Sequence, residues 1–123
     1  MKLLKLIPAA AIVLTAFTTF EAKAFKICLY NNAGFSTKLK VGTPNDSVSK
    51  TSNYFTAGFT KCIKMGDIPI SGGKYKVQYK TDSFGYAPCN YNSGNYSKYT
   101  SSDAGKTKTY SVSGTTSSSS CEL

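Results

Sequence analysis

The chain has 123 residues, a formal net charge of +9 and no His. Every basic residue is a Lys, so bidentate guanidinium clamps on phosphate are excluded. The lack of His removes Ser-His-Asp and Cys-His nucleophile systems, His-based acid–base pairs and His-ligated zinc, and the length accommodates one small domain.

Met1–Lys5 is a short positive segment and Leu6–Phe17 is apolar. Ala22-Lys23-Ala24 supplies an A-x-A ending, so residues 1–24 read as an export signal of bacterial type. The apolar stretch is too short to cross a roughly 30 Å hydrocarbon core comfortably, and no later stretch is longer. The expected product is one domain, Phe25–Leu123, without a transmembrane segment, secreted or periplasmic.

Phe25–Tyr30 alternates apolar and polar residues, as a half-buried strand does. Asn31-Asn32-Ala33-Gly34 is a turn signal, and Phe35–Val41 alternates again, so the two segments are expected to form a hairpin. Gly42–Asn53 reads as a polar loop. Tyr54–Phe59 and Thr60–Met65 read as short strands around Gly58, followed by turns at Gly66-Asp67 and Ser71-Gly72-Gly73. Lys74–Thr81 gives the cleanest pattern: Tyr75, Val77 and Tyr79 fall on one face of a strand, with Lys74, Lys76 and Lys80 on the other. Thr81–Gly105 is rich in Tyr, Asn, Ser and Gly. Lys106–Val112 alternates weakly, and Cys121 near the chain end suggests that the Ser-rich tail is tied back as a last strand. No window has a helical period. About seven short strands separated by turns define an all-β chain, a small antiparallel β-sandwich.

Cys28, Cys62, Cys89 and Cys121 in an exported domain read as two disulfides. Of the three possible connectivities, Cys28–Cys62 with Cys89–Cys121 closes two loops of comparable size. There is no C-x-x-C pair, so neither a thioredoxin-type motif nor a zinc ribbon is indicated.

The opening Cys28-Leu29-Tyr30-Asn31-Asn32-Ala33-Gly34-Phe35, the middle Tyr54, Gly58 and Lys61-Cys62-Ile63, and the ending Tyr110, Gly114-Thr115-Thr116 and Cys121-Glu122-Leu123 form a set. Together they resemble a group of small secreted proteins with a Cys-strand-Asn-x-Ala-Gly-Phe opening and a Gly-Thr-Thr…Cys-x-Leu ending. That resemblance implies a disulfide-tied β-sandwich and implies no activity.

Three sets of residues are candidates for function. Lys38 and Lys40 share one strand face, as do Lys74, Lys76 and Lys80; in one sheet they would make a basic patch that attracts anions. The same lysines could instead be a solvated face that discourages edge-to-edge aggregation. Tyr86, Tyr91, Tyr96 and Tyr99, interleaved with Asn, Ser and Gly, have a paratope-like composition suited to sugars or a protein partner, with Tyr91 and Tyr96 at the centre. Their alternative is packing over the sandwich edge. The carboxylates Asp46, Asp67, Asp82, Asp103 and Glu122 show neither a calcium-loop pattern nor a recognisable catalytic pair. No catalytic residue, metal or cofactor is indicated. The expected function is a non-enzymatic binding protein for an anionic surface, glycan or protein, with nucleic acid excluded as partner. The rivals are a small cationic toxin or membrane-active protein, and a hydrolase using carboxylates.

Overall fold

Alternating apolar residues build two facing layers. The computed structural model describes residues 25–67, 73–81, 85–89 and 96–123. Residues 1–24, Ser71-Gly72, Asp82 and Tyr91 lie outside the described residues. Nine strands occur among them: β1 (Lys26–Ala33), β2 (Leu39–Gly42), β3 (Ser49–Thr51), β4 (Thr60–Lys64), β5 (Lys74–Lys80), β6 (Tyr86–Pro88), β7 (Ser97–Lys98), β8 (Thr107–Gly114) and β9 (Ser119–Glu122). One sheet has the order β4-β1-β8-β9, the other β3-β2-β5-β6 with β7 also pairing β5. Short 3-10 turns span Met65–Asp67 and Ser101–Asp103. Among the described residues no helix is long and apolar enough to cross a membrane.

The core lies between the sheets. Ile27 and Leu29 of β1 and Tyr110 and Val112 of β8 face Leu39 and Val41 of β2 and Tyr75, Val77 and Tyr79 of β5. Each such burial of a large apolar side chain stabilises the fold by about 1.5–3 kcal/mol relative to exposure. Phe25 adds an edge-to-face contact with Tyr75, ring centroids 5.8 Å apart.

The all-β, two-sheet, two-disulfide architecture matches the expectation; several details differ. Among the described residues there are nine strands rather than about seven: one expected strand, Tyr54–Phe59, drops out, and β3, β6 and β7, of three, three and two residues, are too short to show alternation. The expected hairpin of Phe25–Tyr30 with Phe35–Val41 does not form. β1 runs on through the Asn31-Asn32 turn signal, and β1 and β2 belong to different sheets. Tyr54–Phe59 is not a strand; Phe55 makes one isolated bridge to Thr37, and Gly58 turns with φ 93°. β1 and β8 pair in parallel over eight residues, from Lys26 opposite Thr107 to Ala33 opposite Gly114. Alternation is the same in parallel and antiparallel half-buried strands, so the pattern cannot reveal pairing direction.

Both disulfides have the favoured connectivity. Cys28–Cys62 joins directly opposed residues of β1 and β4 within one sheet. Cys89, just after β6, joins Cys121 in β9 and so ties the two sheets together. In the chain-entropy model, loops of this size contribute about 3–4 kcal/mol each. Two disulfides also indicate folding in an oxidising, extracytoplasmic compartment.

Asn31 explains why β1 ignores the turn signal. Its side chain is fully buried, and its Nδ2 donates to the carbonyls of Phe35 (2.8 Å) and Phe55 (3.0 Å). Its Oδ1 accepts from Ala33 N at 2.8 Å. The side chain thus organises two irregular segments from the core side. Asn31→Ala would remove the partner of the Phe35 carbonyl and of Ala33 N–H, while the Phe55 carbonyl keeps Thr37 N–H at 3.1 Å; each group that stays unsatisfied costs roughly 1–3 kcal/mol. Urea unfolding should therefore show a loss of about 2–4 kcal/mol, well above that of an exposed Asn32→Ala substitution.

Candidate functional site: a lysine–tyrosine sheet face

Burying Tyr75, Val77 and Tyr79 turns Lys74, Lys76, Gln78 and Lys80 to the outer face of β5. On β2, Leu39 and Val41 point inward, which puts Lys38 and Lys40 on the same outer face. The register sets Lys40 opposite Gln78 and Gly42 opposite Lys76, and Lys80 N–H donates to the Lys38 carbonyl at 3.0 Å. Tyr86 of β6 stands opposite Lys80, and Lys98 of β7 opposite Lys74. All five lysines singled out in the sequence therefore share one surface, joined by Lys98.

Tyrosines alternate with these charges. Lys40 Nζ lies 4.9 Å from the Tyr86 ring centroid, Lys38 Nζ 4.5 Å from that of Tyr54, and Lys74 Nζ 6.0 Å from that of Tyr96. At these distances the ring quadrupole attracts the ammonium and restricts its wandering.

A carboxylate sits among them. Lys76 Nζ donates to Asp46 Oδ2 at 2.7 Å, and Lys40 Nζ lies 3.8 Å from Oδ1. Asp46 is carried on the turn linking β2 and β3. Thr43 closes that turn, accepting from Asp46 N at 3.0 Å through its carbonyl and from Val48 N at 3.2 Å through its hydroxyl. Gly42 permits the fold-back: a Cβ there would come within 2.8 Å of the Val48 carbonyl oxygen. Asp46 itself has φ 61°, a left-handed conformation that Asp and Asn tolerate better than most residues. The Lys76 hydrogen bond, assisted by the charge of Lys40 and opposed by burial, holds the Asp46 carboxyl below its ordinary value.

The tyrosines of the Tyr-rich segment do not stay together. Tyr86 and Tyr96 join the lysine face, and Tyr91 lies outside the described residues. Tyr99 departs from the binding-loop expectation. Its ring packs 5.2 Å from that of Phe25, against the core, because β7 leads the chain back over the sandwich. Sequence reading missed Asp46, Tyr54 and Lys98 as members of the face. Only the strand register and the turn geometry bring them there, although the Gly42–Asn53 loop flanking a Lys-bearing strand was a partial signal.

Asp103 and Glu122 lie away from this face. Asp103 accepts from Thr100 N at 2.9 Å and lies 3.6 Å from Lys108 Nζ, and Glu122 is on β9 in the opposite sheet. A cleft of about 460 Å³ between edge strands β3 and β4 is lined by Ser49–Ser52 and Cys62–Lys64, with no tyrosine in its lining.

No family model matches the chain, and no curated protein matches it. In shape it is similar to part of several larger solved chains. Wild-type pneumolysin is 11% identical with a TM-score of 0.43, and a Gram-negative toxin 15% identical with a TM-score of 0.44. A non-hemolytic pneumolysin from Streptococcus pneumoniae strain ST306 is 11% identical with a TM-score of 0.42. Each match covers 79% of this chain, which spans only 22% of the length of the solved chain.

Two outcomes are expected. Tyr75→Ala should cost about 3–5 kcal/mol in chemical unfolding and Tyr99→Ala a smaller but clear amount, whereas Tyr96→Ala, already 36% exposed, should leave Tm nearly unchanged. Because the Asp46 carboxyl titrates lower in the folded state than in the unfolded chain, its ion pair stabilises above about pH 4 and fades as pH falls through the lowered value. Thermal unfolding from pH 7 to 3 should show that component in the wild type and not in Asp46→Asn; it will be small, since the carboxylate is 43% exposed.

Proposed function

We propose that this chain is an exported, non-enzymatic binding protein that docks on an anionic surface through the outer face of its five-stranded sheet. The observation that carries this reading is the position of the lysines. Lysines that only block aggregation belong on edge strands. Here Lys38, Lys40, Lys74, Lys76 and Lys80 are associated with β2 and β5, which have neighbours on both sides. Lys74 also faces Lys98 directly, an arrangement that costs stability in a sheet. The same pairing occurs once on the other sheet, with Lys26 opposite Lys64, so what distinguishes this face is the number of lysines gathered on it, whose mutual repulsion an anionic partner would relieve.

Two double variants with the same change in net charge test the docking face. Lys40→Glu/Lys76→Glu reverses charge on it; Lys26→Glu/Lys106→Glu does so away from it, at the first residue of β1 and just before β8. On an array of anionic and neutral glycans and lipids, the first should lose more than about tenfold in affinity, each lysine near an anionic surface contributing about 1 kcal/mol. The second should retain nearly all of it. Equal losses would refute a localised face.

A membrane-active protein is the second reading, and Phe59 favours it. Its ring is 61% exposed beside the Gly58 turn, two residues before Lys61. That reading requires leakage from anionic vesicles that Phe59→Ser abolishes. Binding without leakage leaves the docking role.

A further inference from the structure

We propose that Lys40 and Lys76 form a carboxylate subsite whose ligand is a linear polysaccharide with a carboxylate on each ring, an oligouronate, and that Asp46 occupies this subsite when the ligand is absent. The inference rests on the docking role proposed above and names its ligand.

Asp46 supplies the first argument. Two lysines from neighbouring strands hold its carboxylate, Lys76 at 2.7 Å and Lys40 at 3.8 Å. The protein thus already displays a carboxylate bound at this point. The group is 43% exposed and carried on a turn, so an incoming carboxylate can take its place without opening the core.

Tyr86 supplies the second. Lys40 Nζ contacts both the Asp46 carboxylate and, at 4.9 Å, the Tyr86 ring. A cation with an aromatic surface beside it suits a ligand in which charge and ring adjoin. The same pairing recurs at Lys38 with Tyr54 and at Lys74 with Tyr96. Same-face positions lie about 7 Å apart along a strand and about 4.8 Å apart between strands. A single anion fills one point of that grid, whereas a polymer of charged rings can follow several.

The other anionic partners fit less well. A lipid surface rewards exposed apolar side chains, and the exposed aromatic groups of this face are tyrosines. Phe59 and Leu123, 61% and 69% exposed, adjoin β4 and β9 of the opposite sheet, and the turn that carries Asp46 adds the smaller Val48 at 38%. An acidic peptide adding as a strand needs a free sheet edge, but the lysines stand on β2 and β5, whose backbones are paired on both sides.

The test uses calorimetric titration of the purified protein with four probes: a decamer of galacturonate, its methyl ester, polyglutamate of equal charge, and phosphatidylglycerol vesicles. The galacturonate decamer should bind more tightly than the other three. Asp46→Asn keeps the size and tolerates the left-handed backbone of the turn. It should strengthen decamer binding about two- to fivefold, the equivalent of freeing lysines from an exposed ion pair. Glu122→Gln makes the same charge change on the opposite sheet and should alter binding by less. Tyr86→Leu should weaken decamer binding more than polyglutamate binding, with Tm recorded to exclude unfolding. If Asp46→Asn does no more than Glu122→Gln, the subsite assignment is wrong. If polyglutamate or vesicles bind as tightly as the decamer, and Lys40→Glu/Lys76→Glu abolishes that binding, the glycan is overturned and the docking face stands. If the lysine variant changes none of these, both fall.

Discussion

The alternation along β5 is the constraint on which the rest of the molecule depends. Tyr75, Val77 and Tyr79 are buried to make the core of the five-stranded sheet. A strand has only two faces, so the lysines between them must project together from the other side. Slipping the register by one residue would bury charge and expose aromatic rings, which makes the register strongly specified. The core and the candidate site are therefore two consequences of one pattern. The same packing that stabilises the domain fixes where the ammonium groups stand.

Around that strand the structure adds rigidity in layers. β2 and β6 flank it, and Cys89–Cys121 fastens the β6 side to the opposite sheet. Tyr79 OH and Ser119 Oγ, 2.8 Å apart, link the two sheets again near the chain end. Asn31 holds Phe35 and Phe55 in place from the far side of the core. An array of lysines on such a frame has its spacing set by the backbone and its ammonium groups partly confined by tyrosine rings. That preorganisation lowers the entropy lost when a partner orders the side chains.

Much of this was legible in the residues, and the limits are physical. About seven short segments separated by turns, with no helical period, sufficed for an all-β domain, the period-two pattern of Lys74–Thr81 for the inward tyrosines and outward lysines, and the four cysteines for two disulfides. Pairing direction was not legible, because β1 and β8 would alternate identically if they ran antiparallel. The Asn31-Asn32 signal misled because an Asn side chain can satisfy backbone groups in a turn or, as here, from inside a core. Asp46 could be read only as turn chemistry. Its reach to Lys76 depends on the missing Cβ at Gly42 and on the hairpin closed by Thr43, which are three-dimensional facts. Tyr99 looked equivalent to Tyr96 by composition, yet the short pairing of β7 with β5 sends one ring outward and the other onto Phe25.

The central claim is that recognition takes place on the outer face of the five-stranded sheet. Amide chemical-shift mapping of the isotopically labelled protein, titrated with the galacturonate decamer, tests it most directly. The largest shifts are expected at Lys38, Lys40, Asp46, Lys76, Lys80 and Tyr86, with β8 and β9 unmoved. Shifts concentrated instead on β8 and β9, or on the Thr56–Phe59 turn, would contradict it.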